Sequence, residues 1–306
     1  MQSATFFRFV CRAALLAAAT LQANAFAGIP VRDDSGQDVA LAQPAARIAS
    51  LAPHVTELLY AAGAGKRIVA ADEFSDFPDA AKKLPRIGSA YALDLEALLA
   101  LKPDLVIAWK SGNDARQIAR IRELGIPVFL SEPRTLEGVA RALENFGELA
   151  GTESTARAAA QKFRAQYGEL QSRYRGRRTI KVFFEIWSPP VMTVNGSHLI
   201  DAVLTLCGGH NVFGALSALT PTVSVESVVA AAPEVILASG MGSARPAYLD
   251  DWSRWPRMPA IKNGLVAHIP ADLITRPGPR LIDGASRVCA ILERARGFDS
   301  GGNKKP

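Results

Sequence analysis

A stretch in the first half of this chain recurs in the second half, and that repeat limits the possible folds more than any other feature. Glu96 and Glu226, Pro103 and Pro233, and Asp104 and Glu234 each stand 130 positions apart. In both copies a polar cap, Asp94 or Ser224, opens a helix with an acid in its first turn, where the helix dipole favours it. A Pro–acid pair then breaks the helix, and an apolar strand follows: Leu105–Trp109 in the first copy, Val235–Ala238 in the second. The flanking units correspond too. Ala46–Ala52 reads as a strand followed by a helix from Pro53 to a stop at Gly63, and then by a strand over Ile68–Ala71. Asn113–Leu124 is a further helix, leading into a strand over Gly125–Leu130. In the second half Ile180–Ile186 is the first strand, Asp201–Leu206 its helix and Gly208-Gly209 the stop. This alternation predicts an α/β fold of two similar lobes with parallel sheets.

The lobes are joined by helix rather than by a Gly/Ser/Pro hinge. Glu137–Leu149 is one helix, and Glu153–Tyr174 is a second with Phe163, Tyr167, Leu170 and Tyr174 on one stripe. A helix of that second length spans about 33 Å. One long rigid helix implies a ligand cleft between the lobes whose opening changes little. The expected organisation is a signal peptide (1–25), an N-terminal extension (26–45), an N-terminal lobe (46–150), the interlobe helix (151–176), a C-terminal lobe (177–296) and a flexible tail (297–306).

Charge and composition narrow the function. Arg8 and Arg12 precede the apolar run Ala13–Leu21, and Ala23-Asn24-Ala25 offers a small-x-small cleavage site, with Ala25-Phe26-Ala27 as a second. This is an export signal, too short to anchor. Cys11 lies ahead of the apolar run, so no lipid anchor is expected, and the mature protein is read as periplasmic. The formal charge of +6 looks like a hint of nucleic acid, yet Arg175, Arg177 and Arg178 form the only internal basic cluster, so no nucleic-acid partner is expected. With 49% hydrophobic and 21% charged residues the chain is not disordered. Export leaves Cys207 and Cys289 as an even pair in an oxidising compartment, for which one disulfide is expected. It would close a loop of about 80 residues and contribute about 3–4 kcal/mol.

Catalytic signatures are missing. There is no phosphate-binding glycine loop, no zinc-protease pair and no nucleophile elbow. His54, His198, His210 and His268 have no partner at metal spacing; His54, next to Pro53, reads as a solvated or capping residue, and His210 as part of a helix end. The reading is therefore a binding protein, not an enzyme, with no cofactor and no metal. Phe74, Phe77, Tyr91, Trp109 and Trp187 each suit ordinary packing, but together they lie at strand ends, the edge where open α/β sheets take ligands. Asp272, Leu273, Ile274, Thr275 and Arg276, followed by Pro277-Gly278-Pro279-Arg280, read as a polar loop before the last helix.

At these residues the chain resembles the periplasmic substrate-binding proteins of iron-siderophore and vitamin B12 ABC importers, and within them most closely the B12 receptors. The matching segments are RIASLAPHVTELLYAAG, FSDFP, LDLEALLALKPDLVIAWKSGN, LGIPV, CGGHNVF, TVSVE and the run from Asp272 to Arg280, spanning about Arg47 to Leu292. The resemblance implies capture of cobalamin or a related corrinoid and delivery to an inner-membrane ABC permease with its ATPase, by a monomeric carrier. It places Phe74 and Trp109 in the ligand pocket, Asp272–Arg276 on the corrin's side amides, and Glu96 and Glu226 on permease arginines. It also pairs Cys207 with Cys289. Ala90 stands where B12 receptors carry a pocket tryptophan, with Tyr91 adjacent as a substitute; Thr220 replaces a second tryptophan, and the aromatic near Trp187 is shifted by about one position. The alternative within the family is a ferric siderophore, which would use Arg276 and Arg280, or haem, with Tyr91 or His54 as axial ligand.

Overall fold

A computed structural model describes residues 30–240, 242 and 244–298. The expected signal peptide, Cys11 and the tail beyond Phe298 lie outside the described residues.

The chain opens with a hairpin of β1 (Val31–Arg32) and β2 (Asp38–Val39). The first lobe runs β3 (Ile48–Ser50), α1 (Pro53–Ala61), β4 (Ile68–Ala71), α2 (Leu95–Ala100), β5 (Leu105–Trp109), α3 (Ala115–Glu123), β6 (Val128–Ser131). Two helices follow, α4 (Leu136–Ala150) and α5 (Glu153–Tyr174). The second lobe runs β7 (Ile180–Glu185), α6 (Leu199–Leu206), β8 (Gly209–Asn211), α7 (Val225–Ala231), β9 (Val235–Ala238), α8 (Pro259–Lys262), β10 (Val266–His268), α9 (Ala271–Ile274) and α10 (Leu281–Ala295). Both four-stranded sheets are parallel, ordered β4-β3-β5-β6 and β10-β9-β7-β8. Counted from each lobe's first strand, both are second-first-third-fourth. The repeat in the sequence is thus a repeat of topology.

The Pro–acid pair has a structural meaning that spacing alone does not give. Asp104 accepts from the backbone N–H groups of Ala46 and Arg47, each at 2.9 Å, and so fixes the start of β3 beside β5. Glu234 does the same for β7, accepting from Lys181 N at 3.0 Å and from Arg178 Nη1 at 2.6 Å. The residues ahead of the two prolines, Lys102 (φ 46°) and Ala232 (φ 45°), are the non-glycine residues with left-handed backbone among the described residues. A left-handed residue ends each helix abruptly and lets the proline begin the strand. Asp94 and Ser224 cap their helices as expected, accepting from Ala97 N at 2.9 Å and Ser227 N at 3.1 Å.

The junction between lobes is broader than one helix. One apolar core runs from Ile48, Leu58 and Phe129 through Leu143, Phe146, Ala160 and Phe163 to Phe184, Leu204 and Leu292. Helix α5 is the covalent link, with bounds as the sequence predicts, but α4 packs along it and also touches α6. Smaller cores cover the outer face of each sheet. Residues 30–45 are built into the first lobe: Asp33 accepts from Ser35 N, Gln37 N and Leu130 N, and Asp34 from Glu132 N, clipping the hairpin to the edge strand β6. Gly209-His210, read from sequence as part of a helix end, opens the edge strand β8 instead. The Cys207–Cys289 disulfide is present and joins the end of α6 to α10.

Candidate ligand-binding cleft

The carboxyl ends of the two sheets meet. Arg276, beyond β10, donates to Asp76 Oδ1 at 2.7 Å and Phe74 O at 3.4 Å, both beyond β4, and to Glu57 Oε1 at 3.0 Å in α1. Phe74 and Phe77 lie at this floor, and Tyr91, Trp109 and Trp187 follow or end strands β4, β5 and β7 at the same carboxyl edges. Phe74 is 59% exposed, Phe77 42%, Tyr91 81% and Trp187 42%; among the described residues only Leu124 and Leu216 are comparably exposed large apolar side chains. Apolar surface left exposed at strand ends makes this edge the candidate binding face.

Trp109 is held in place by three neighbours. Its backbone N–H donates to Asn113 Oδ1 at 2.6 Å, and Asn113 Nδ2 donates to Leu51 O at 3.2 Å and Ala90 O at 3.4 Å. Asn113 thereby ties together the ends of β3 and β5, where strand order reverses. Gly112 leaves room for the Trp109 ring, which a Cβ at that position would strike. Trp109 is half-buried, packing on the core and edge-on to His54 at 6.0 Å. Trp187 is steadied by Nε1 donating to Pro189 O at 3.0 Å.

Two expectations change at the second wall. The segment read as a loop begins with the single-turn helix α9, and Ile274 has no exposed surface, so its side chain belongs to the core and not to a ligand face. Asp272 pairs with Arg276 at 2.9 Å, Thr275 is exposed, and Leu273 is partly exposed with its backbone carbonyl against Gly284. His54 also differs. It is 3% exposed behind Trp109 and does not cap α1, so it is neither solvated nor placed to ligate haem. Glu96 and Glu226 are both exposed in the first turns of α2 and α7.

Three buried carboxylates at this edge went unremarked in the sequence, Glu57, Asp72 and Glu185, as did the bridging role of the half-buried Asn113. Glu57 was legible as the only carboxylate inside an apolar helix; Glu185 as an acid ending a strand of buried residues. Glu185 accepts from Trp252 Nε1 at 2.8 Å, and burial pushes its carboxyl up to about 7. Burial likewise raises Asp72 to about 6, although Phe74 N donates to it. Burial, with the charge of Arg276 second, lowers His54 to about 3, and burial lowers His198 to about 4, where its Nδ1 accepts from Ile200 N.

These shifts oppose one another. As pH falls below the ordinary histidine value of 6.5, the unfolded chain takes up protons at His54 and His198 that the folded chain refuses. Each costs about 1.4 kcal/mol of stability per pH unit. Asp72 and Glu185 act the other way: folding raises their affinity for a proton, so stability rises as pH falls through about 7 and 6, until the unfolded carboxyls protonate near 4.5 and 3.8. Urea midpoints should therefore stay level between about pH 6 and 4.5 and decline below. In a Glu185→Gln variant, midpoints should instead drop steadily from pH 6 downward; a level profile there would remove Glu185 from the balance.

Comparison with known proteins follows the same outline. Residues 48–273 match the family described as periplasmic binding protein. The chain is 38% identical to a vitamin B12-binding protein of Vibrio campbellii over 256 residues, covering 83% of this chain and 91% of that one. It superimposes on the periplasmic vitamin B12 binding protein BtuF of Vibrio cholerae with a TM-score of 0.76 and 35% identity, covering 82% of this chain and 98% of that one. The periplasmic heme binding protein HutB of Vibrio cholerae aligns with a TM-score of 0.70 and 25% identity, covering 80% and 98%. The two-lobed α/β architecture is thus a known one, and the chain belongs to the periplasmic binding protein family.

Proposed function

We propose that this protein captures cobalamin or a related corrinoid in the cleft and delivers it to an ABC permease and its ATPase in the inner membrane. Its work is binding, not catalysis. The observation that carries the reading is the rim of exposed aromatic faces, which suits a large, flat-edged and mostly neutral ligand. Phe74, Tyr91, Trp109 and Trp187 form the apolar surface of the proposed site, with Leu273 at its edge. Asp272, Thr275 and Arg276 supply polar groups for side amides. An anionic ferric siderophore is less well served, because Arg276 and Arg280 are already paired with Glu57, Asp76 and Asp272. Haem is left with Tyr91 alone of its two candidate ligands.

Glu96 and Glu226 are assigned to permease docking, one exposed anion per lobe at equivalent positions. The carrier acts as a monomer, released to the periplasm by cleavage near Ala25 without a lipid anchor. Titrating the purified protein with cyanocobalamin tests the ligand: saturable quenching of tryptophan fluorescence is expected, with no response to ferric siderophores or haemin. Trp109→Ala should weaken that binding by about 1–3 kcal/mol, the loss typical of a large aromatic anchor. Unchanged affinity in a folded variant would leave Trp109 a packing residue only.

A further inference from the structure

Glu57 has a position that neither the helix it belongs to nor the core requires. It lies in α1 among Val55, Leu58 and Leu59, which have no exposed surface, and is itself only 2% exposed. Both of its oxygens leave the first lobe for the second. Arg280 grips the carboxylate as a fork, Nε to Oε2 at 2.9 Å and Nη2 to Oε1 at 2.6 Å, while Arg276 Nη1 donates to Oε1 at 3.0 Å. Gly278, between the two arginines, closes the same site with its backbone; a Cβ there would stand 3.4 Å from Oε2. Arg280 also lies 4.1 Å over the Phe77 ring. These contacts join residues more than 200 positions apart, and they do so at the cleft floor.

A buried ion cluster of this kind adds little stability over apolar packing of the same volume, but it fixes geometry, since guanidinium and carboxylate meet in few arrangements. The groups it fixes are those at the ligand face. Arg276 is set beside Asp272 and the Phe74 carbonyl, and Phe77 is set under Arg280.

We propose that Glu57 is a positioning residue for binding: it clamps the 275–280 segment of the second lobe to α1 of the first, and so holds Arg276 and the two walls of the cleft in their binding arrangement before ligand enters. This rests on the reading of the cleft as the ligand site. Glu57 touches no ligand itself; it acts through Arg276 and Arg280, lowering the cost of ordering them on binding.

Two measurements on the full-length mature protein test this. Amide hydrogen exchange in the ligand-free protein should rise at least tenfold over 275–281 in Glu57→Gln, where Gly278 N and Leu281 N are protected by local hydrogen bonds. Cyanocobalamin affinity should fall at least tenfold in the same variant. In an Arg276→Gln, Arg280→Gln background the further loss from Glu57→Gln should shrink below threefold, because both residues it positions are gone. Unchanged exchange, or an affinity loss that stays threefold or more without the two arginines, would overturn the clamp. If Glu57→Gln does not fold, Arg280→Lys, which keeps the charge and loses the fork, is held to the same exchange criterion. Exchange needs no ligand, so a protein that ignored cyanocobalamin but loosened in the variant would support the clamp and overturn only the corrinoid reading.

Discussion

A Glu96→Ala, Glu226→Ala double variant should bind its ligand with wild-type affinity and lose transport and permease binding, with the gap to wild type widest at low salt and narrowing as salt rises. The two glutamates occupy equivalent positions in a repeated unit, each exposed in the first turn of a helix that starts at the carboxyl edge of its sheet. Among the described residues neither forms an ion pair. Their local role is interaction with the helix dipole, about 0.3–1 kcal/mol each, so the double variant folds. Asp94 and Ser224 already cap these helices, so an acid two residues further on is not needed to start them. A two-lobed carrier meeting a permease of two-fold symmetry would present one anion per lobe to one cation per half. Such charge-assisted contacts set orientation and association rate and weaken as salt screens them. Co-sedimentation with permease in lipid nanodiscs and uptake in cells lacking the native receptor are the measurements. Normal docking by the double variant would return both residues to the helix dipole alone.

Removing the disulfide should have the largest effect on the fold. Cys207 and Cys289 are separated by 82 positions and have no exposed surface. Opening a loop of this size costs about 3–4 kcal/mol through the freedom restored to the unfolded chain. That is a large fraction of the about 5–15 kcal/mol that typically holds a domain. Cys207→Ala, Cys289→Ala should therefore lower the urea midpoint by the corresponding amount, with ligand affinity little changed because the bridge joins α6 to α10 away from the aromatic rim. Mature protein unfolded in urea without reductant should show no thiol by Ellman titration. Two titratable thiols there would refute the bridge, and a loss below about 1 kcal/mol would mean that packing of α10 on α6 already holds this corner.

Much of the architecture is legible in the sequence because local signals agree with each other. The caps Asp94 and Ser224, the apolar strands Leu105–Trp109 and Val235–Ala238, and the stripe along Glu153–Tyr174 depend on neighbours within a turn or a strand. Short-range chemistry writes these directly. The register of 130 positions extends that reading to the whole chain, since two copies of one unit imply two lobes. The aromatic rim was legible as well, as rings grouped at strand ends.

What the sequence could not fix depends on contacts between distant segments. It left His54 as a solvated or capping residue, because nothing in Pro53-His54-Val55 reveals that Trp109 covers it. It took Ile274 for a ligand-facing residue, because only the packing of α9 turns that side chain into the core. It read Arg276 and Arg280 as cations open to an anionic ligand, whereas Glu57, more than 200 residues earlier, pairs with both, and Asp76 and Asp272 pair with Arg276 as well. The sequence by itself determined the elements, the duplication and the sheet edge at which the aromatic rings gather, all of which follow from periodicity and capping. Only the tertiary structure decided which charges are spent across the lobes and which remain for the ligand, because burial and ion pairing are properties of the assembled cleft and not of any segment that forms it.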